Sequence, residues 1–99
     1  MLDEIAKDRK KERILVIYDV VCDKRRRYIV KTLEGYGQRV QKSAFEVYLN
    51  QKQARIMTTK LTRYIDEQED SLRIYILHAN SKVNCWGKDV VKLDEIIVI

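Results

Sequence analysis

The sequence predicts a small α+β domain with the order strand, helix, strand, strand, helix, strand. Three observations predict it. The run 14–21 is apolar and rich in β-branched residues, with the length of a strand. Segments 24–36 and 51–69 carry apolar residues at helical spacing. Segments 39–49 and 72–77 are rich in strand formers and lack that spacing.

The elements follow in order. Residues 1–13 are densely charged with both signs. Leu2, Ile5, Ala6 and Arg9 form a weak helical stripe there, so a short helix or frayed tail is expected. Within 14–21 (ILVIYDVV) only Asp19 breaks the apolar run, which reads as a central strand covered on both faces. Asp23 stands where a helix N-cap is wanted, and the helix 24–36 follows. Its Ile29, Leu33 and Tyr36 fall on one stripe. Gly37 suits a left-handed residue just past the helix. Segment 39–49 reads as two short strands turning near Lys42 and Ser43, or as one bent strand. Asn50 caps the second helix, 51–69, and Gln53 is placed for a capping-box return bond. Ala54, Met57, Leu61, Tyr64, Ile65 and Gln68 share a face of it. Asp70 and Ser71 end it, and 72–77 alternates with Leu72, Ile74 and Ile76 on one side. Beyond Asn80 the pattern loosens: 83–86 suits a short strand, and 96–99 is an apolar terminus in need of a pairing partner. This order is the split βαβ, or ferredoxin-like, arrangement with an extra C-terminal strand. The chain divides into a charged extension 1–13, a core 14–80, and a C-terminal strand and tail 81–99.

A chain of 99 residues makes one domain. Its 45% hydrophobic content supplies a small core, so association with a second copy is a natural source of stability. With the unpaired terminus 96–99, this predicts a homodimer. The net charge of +5 favours a polyanionic partner, nucleic acid ahead of an anionic membrane surface. Cys22 and Cys85 lie far apart with no metal-ligand spacing, so nothing suggests a zinc site or a disulfide framework, and reduced thiols are expected. No apolar run is long enough to span a membrane, and residues 1–13 lack a signal-peptide stretch. The expected location is the cytoplasm.

Asp19 is the most informative residue. An ionised carboxylate in a buried apolar strand is costly unless paired or metal-bound. Alternation puts it on the face of Leu15 and Ile17, near the strand's C-terminal end. It reads either as a ligand for a hard cation, Mg²⁺ or Mn²⁺, or as a carboxylate paired with Arg25, Arg26 or Arg27. A two-fold dimer that joins two copies of Asp19 would supply a ligand pair, and substrate phosphate oxygens would complete the shell. Asp23 reads first as the N-cap, with a supporting place beside the metal left open. The run Lys24-Arg25-Arg26-Arg27 opens a helix, where positive charge opposes the macrodipole. A gripped phosphate backbone would account for it; a solvated charge run is the plain alternative. Arg39 and Lys42 extend the patch. The only histidine, His78, pairs with no serine or cysteine nucleophile by sequence, and no role is assigned to it. Cys22 reads as packing. Phe45, Tyr28 and Tyr75 have spacing that suits the core better than base stacking.

Taken together, several segments resemble one family. Tyr18-Asp19 ends the first strand, and Asp23-Lys24-Arg25-Arg26-Arg27 opens the helix. The stretches YGQRVQKSAFE, from Tyr36 to Glu46, and DSLRIY, from Asp70 to Tyr75, follow. The combination resembles the Cas-two family, the smaller of the two universal CRISPR adaptation proteins. The most specific part holds Gly37, Arg39, Val40, Gln41, Ser43, Phe45 and Glu46. The resemblance covers 14–77 and implies a ferredoxin-like homodimer whose terminal strand crosses to the partner subunit. It implies a divalent-metal-dependent endonuclease acting on RNA or DNA. It also implies a bridge that holds two dimers of the Cas-one integrase on duplex DNA during spacer acquisition. The metal-site, catalytic aspartate carries over to Asp19, the basic helix-start residues to Arg26 and Arg27, and the strand-two arginine to Arg39. Single-stranded RNA is a further expected partner beside duplex DNA, and a stand-alone, toxin-like ribonuclease of the same fold is the alternative. The extension 1–13 and Ala44, where a larger aliphatic residue is common, depart from the family pattern.

Overall fold

Alternation along the first strand decides which side of the sheet carries the core. The computed structural model describes residues 10–78 together with Asn84 and Trp86. Strand β1 is Glu12–Asp19. It starts ahead of the expected Ile14 and stops short of Val21, so Glu12 and Arg13 belong to the sheet. Ile14, Val16 and Tyr18 are buried, whereas Ile17 is 37% exposed and Asp19 is exposed. The expected burial on both faces is therefore corrected to burial on one. The helices gather on a single side, and an antiparallel sheet tolerates water on the other.

Helix α1 is Asp23–Glu34. Its N-cap is Cys22 rather than Asp23, and no side chain caps it. Asp23 is instead the first helical residue, where its charge suits the helix dipole. Ile29 and Leu33 are buried and Tyr36 packs against the core, as the stripe predicts. Strand β2, Gly37–Gln41, begins directly afterwards. Gly37 is thus a strand residue and not a helix-ending turn. A Cβ there would run into the Glu46 carbonyl oxygen and stand 2.6 Å from Val47 Cγ1, so close approach of β3 is what requires glycine. Strand β3 is Ala44–Leu49, and segment 39–49 is a hairpin with a register irregularity between Arg39 and Gln41.

Helix α2, Gln51–Thr62, starts on a complete capping box. The Gln53 N–H donates to Asn50 Oδ1 at 2.8 Å, and the Asn50 N–H donates to Gln53 Oε1 at 3.0 Å. Met57 and Leu61 are buried. The helix is shorter than the expected 51–69. Asp66 and Asp70 capture backbone N–H groups that a continued helix would use: Gln68 donates to Asp66 Oδ1 and Asp66 donates to Asp70 Oδ2. Strand β4 is Ser71–Leu77. Leu72 and Ile74 pack against the core, but Ile76, expected beside them, is 55% exposed on this edge strand.

The sheet order is β2-β3-β1-β4, antiparallel throughout. One core joins Ile29 and Leu33 of α1 and Met57 and Leu61 of α2 to Ile14, Val16, Tyr18, Phe45 and Val47. This is the ferredoxin-like fold. Asn84 and Trp86 carry no regular structure, and Trp86 is exposed. The helical stripe within 1–9, the rest of the expected strand 83–86 and the terminus 96–99 lie outside the described residues.

Gly37→Ala should destabilise the fold by about 1–3 kcal/mol, because β2 or β3 must shift to admit the methyl group. Denaturant unfolding measures this. A variant as stable as the parent would show that the close approach does not constrain the hairpin.

Candidate functional site

One end of the sheet collects most of the charged residues singled out by sequence. β1 ends there at Asp19, which lies opposite Ser71, the first residue of β4. The β2–β3 turn lies beside it, since the Tyr18 N–H donates to the Ser43 carbonyl at 3.1 Å. The start of α1 completes the rim, held by the Val20–Cys22 connection.

Asp19 departs from expectation. Its carboxylate is exposed rather than buried, and it makes no ion pair or side-chain hydrogen bond among the described residues. The arginines proposed to neutralise it are occupied elsewhere or point to solvent. Arg25 binds Asp70 through Nε at 3.0 Å and Nη2 at 3.1 Å, and also Glu69. Arg26 donates to the Val20 carbonyl at 2.9 Å and pairs with Asp23. Arg27 is exposed and unpaired among the described residues. On the hairpin, Arg39 donates to the Lys42 carbonyl at 2.8 Å and approaches the Tyr18 hydroxyl at 3.4 Å. Its guanidinium lies 5.9 Å from the centre of the Phe45 ring, a cation–π contact. Lys42 is exposed at the turn. Asp23 serves Arg26 as an ion-pair partner, and no contact joins it to Asp19.

Asp70 is the residue that sequence reasoning undervalued. Its side chain is fully shielded. It accepts the Val21 N–H at 3.0 Å and the Asp66 N–H at 2.9 Å besides both Arg25 bonds. The Arg25 guanidinium holds its carboxyl down, at about 2. Glu46 likewise received no role of its own from the sequence. It is buried at 2% exposure, and both carboxylate oxygens lack a hydrogen bond. Burial pushes its carboxyl above the ordinary range, with Tyr48 and Arg13 opposing the rise. Its signal in the sequence was an acid flanked by apolar residues in AFEVYL. Among the aromatics, Phe45 is a core residue as expected, whereas Tyr28 and Tyr75 are exposed. Cys22, expected as packing, is half-exposed; the Arg25 and Lys24 N–H groups hold its thiol below the ordinary value.

Among the described residues, no group of three or more histidine, cysteine, aspartate or glutamate side chains could hold a metal ion. Asp19 is thus an exposed carboxylate with no ion pair and no cluster of further ligands among the described residues. A hard cation needs several oxygen ligands, so Asp19 alone is part of a site.

The family model described as CRISPR associated protein Cas2 matches residues 12–85. The chain belongs to the Cas2 family. CRISPR-associated endoribonuclease Cas2 3 of Synechocystis sp. is 40% identical over 76 residues, covering 75% of this chain and 83% of that protein. CRISPR-associated endonuclease Cas2 of Halalkalibacterium halodurans is 43% identical over 74 residues, covering 70% and 77%. A chain of a solved partial Cas6-RT-Cas1–Cas2 complex matches with a TM-score of 0.61 and 33% identity, over 70% of this chain and 81% of that one. The Cas2 match begins at Glu12, where β1 begins, and it takes in the whole sheet-end rim.

Asp70→Asn should lower stability at neutral pH by removing the acceptor charge from Arg25. The carboxyl is depressed in the folded state, so its contribution is fully present above the unfolded-state value. It is lost as the pH falls toward about 2. Denaturant unfolding of parent and variant across pH should show a gap that narrows on acidification. A gap of constant size would mean that the charge contributes nothing.

Proposed function

We propose that this chain is a CRISPR adaptation protein that acts as a homodimer on duplex DNA and bridges dimers of the Cas1 integrase. With it goes a divalent-metal-dependent endonuclease activity centred on Asp19. The observation that carries the reading is the rim itself: an exposed, unpartnered carboxylate shares a sheet end with the unpaired cations Arg27 and Lys42. A phosphodiester backbone needs both, a cation-binding oxygen near the scissile phosphate and positive charge along the flanking phosphates. The relatives named endoribonuclease and endonuclease support the activity, and the neighbour taken from a complex with Cas1 supports the partner.

The dimer follows from the half-site. Asp19 shares the open sheet face with Leu15, Ile17 and Tyr75, and a second copy docked there would bring a second Asp19. Mg²⁺ or Mn²⁺ held by the pair would polarise a phosphoryl oxygen and lower the pKa of a bound water. The protein's own parts are distinct. Arg27 and Lys42 meet phosphates. Arg39 supports the turn that carries Lys42, and Arg26 closes the loop that follows Asp19. Arg25 holds that loop through Asp70. The substrate for cleavage is RNA or DNA, and the proposed place of action is the cytoplasm. No helix among the described residues is long and apolar enough to cross a membrane.

Asp19→Asn separates the two activities. The residue is exposed, so stability should change by less than about 0.5 kcal/mol. Light scattering should still give a dimer, and duplex DNA binding and spacer acquisition in cells should persist. Mg²⁺- or Mn²⁺-dependent cleavage of RNA or DNA should be abolished. Cleavage that survives with full metal dependence would remove Asp19 from the site. A parent protein that stays monomeric would remove the shared metal.

A further inference from the structure

Helix α2 carries a charge pattern that the sheet-end rim does not use. Between Glu46 and Asp66 the chain contains no acidic residue, while Lys52, Arg55, Lys60 and Arg63 supply four positive charges. All four are exposed. None forms an ion pair among the described residues, unlike Arg25 and Arg26. A solvated surface helix ordinarily mixes the two signs and gains from pairs at i,i+4, and α2 has no such pair.

The placement makes this a strip rather than a scatter. At 1.5 Å rise per residue, Lys52, Arg55 and Arg63, the last being the C-cap residue with helical backbone angles, fall along one side of the helix axis over about 16 Å. That length matches about five base-pair steps of a duplex at 3.4 Å each. The strip continues onto α1. Tyr28 stacks on Tyr64 with centroids 4.9 Å apart and planes 14° from parallel. Lys60 lies 5.3 Å from the centre of the Tyr36 ring. These contacts set Lys31, exposed and unpaired among the described residues, beside the C-terminal half of α2. The helix layer lies on the side of the sheet away from the open face that bears Asp19.

We propose that the outer face of α2, with Lys52, Arg55 and Arg63 as its contacts, is a second phosphate-backbone surface for duplex nucleic acid, separate from the Asp19 rim. The inference rests on the nucleic-acid-binding reading above and extends it to a different face. The strip fits a backbone better than a lipid surface. The apolar residues Met57 and Leu61 are spent in the core, and Ile56 is the only large apolar residue of α2 left exposed. Cations with one apolar residue among them lack the apolar face that lipid insertion needs, and they grip phosphates through counterion release, which is indifferent to sequence and sensitive to salt.

The test uses the full chain and the triple variant K52Q/R55Q/R63Q. Glutamine keeps helix propensity close to that of lysine and arginine, and circular dichroism checks the fold. Lys60 stays because it packs on Tyr36. Binding to a random-sequence DNA duplex is followed by fluorescence anisotropy across a salt series. R27Q/K42Q serves as the rim comparison. The triple variant should lose about tenfold or more in affinity, and its log–log salt slope should fall by about 2–3 units. R27Q/K42Q should lose affinity independently. An unchanged affinity and slope in the triple variant, with a loss in R27Q/K42Q, overturns the strip and leaves the rim standing. Polyglutamate or anionic phospholipid vesicles displacing the duplex at equal charge would overturn its assignment to nucleic acid. A parent chain that binds no duplex overturns the parent reading and the strip with it.

Discussion

A fully shielded carboxylate, Asp70, ties together the segments that carry the candidate site. It takes the Val21 N–H from the loop after β1, the Asp66 N–H from the turn after α2, and two N–H groups from Arg25 at the start of α1. The next residue, Ser71, pairs with Asp19 across the sheet. A charge removed from water is tolerable only when its lone pairs are filled, and here four donors fill them. The carboxylate thereby fixes where β1 ends, how α1 leaves the sheet and where β4 begins. Asp19 inherits its position from all three.

The same contact reinterprets the arginine run. Three consecutive guanidinium groups at a helix start conflict with the macrodipole, and sequence alone assigns them jointly to phosphate. In the fold they divide. Arg25 is neutralised by Asp70 and Glu69, and Arg26 by Asp23 while it also bonds the Val20 carbonyl. Most of the conflict is resolved inside the chain, and Arg27 is the member of the run that stays exposed and unpaired among the described residues. The cations without acidic neighbours lie further along, on the exposed side of α2, where no motif drew attention to them.

What the sequence made legible was whatever local chemistry enforces. The Asn50–Gln53 box, the turn at Lys42–Ser43 and the stripe of Ile29 and Leu33 all follow from short-range rules. The end of α2 did not follow, because apolar spacing continues through Ile65 while Asp66 and Asp70 withdraw the backbone donors. Nor did the exposure of Asp19. The run 14–21 is apolar on both alternating sets, so its pattern reads as burial on both sides; only the gathering of both helices on one side leaves Leu15, Ile17 and Asp19 more open. The importance of Asp70 was illegible for a related reason. Its partners Val21 and Arg25 are far from it in sequence, and two of its four bonds come from backbone groups.

The dependence of the rim on Asp70 through Arg25 is tested most directly by a double-mutant cycle on stability, with Arg25→Gln, Asp70→Asn and the pair unfolded by denaturant at neutral pH. Strong coupling is predicted: once Asp70 is neutral, loss of the Arg25 charge should cost little more, so the double variant should be about as stable as Asp70→Asn alone. Losses that simply add would show the two groups acting independently and would contradict the account.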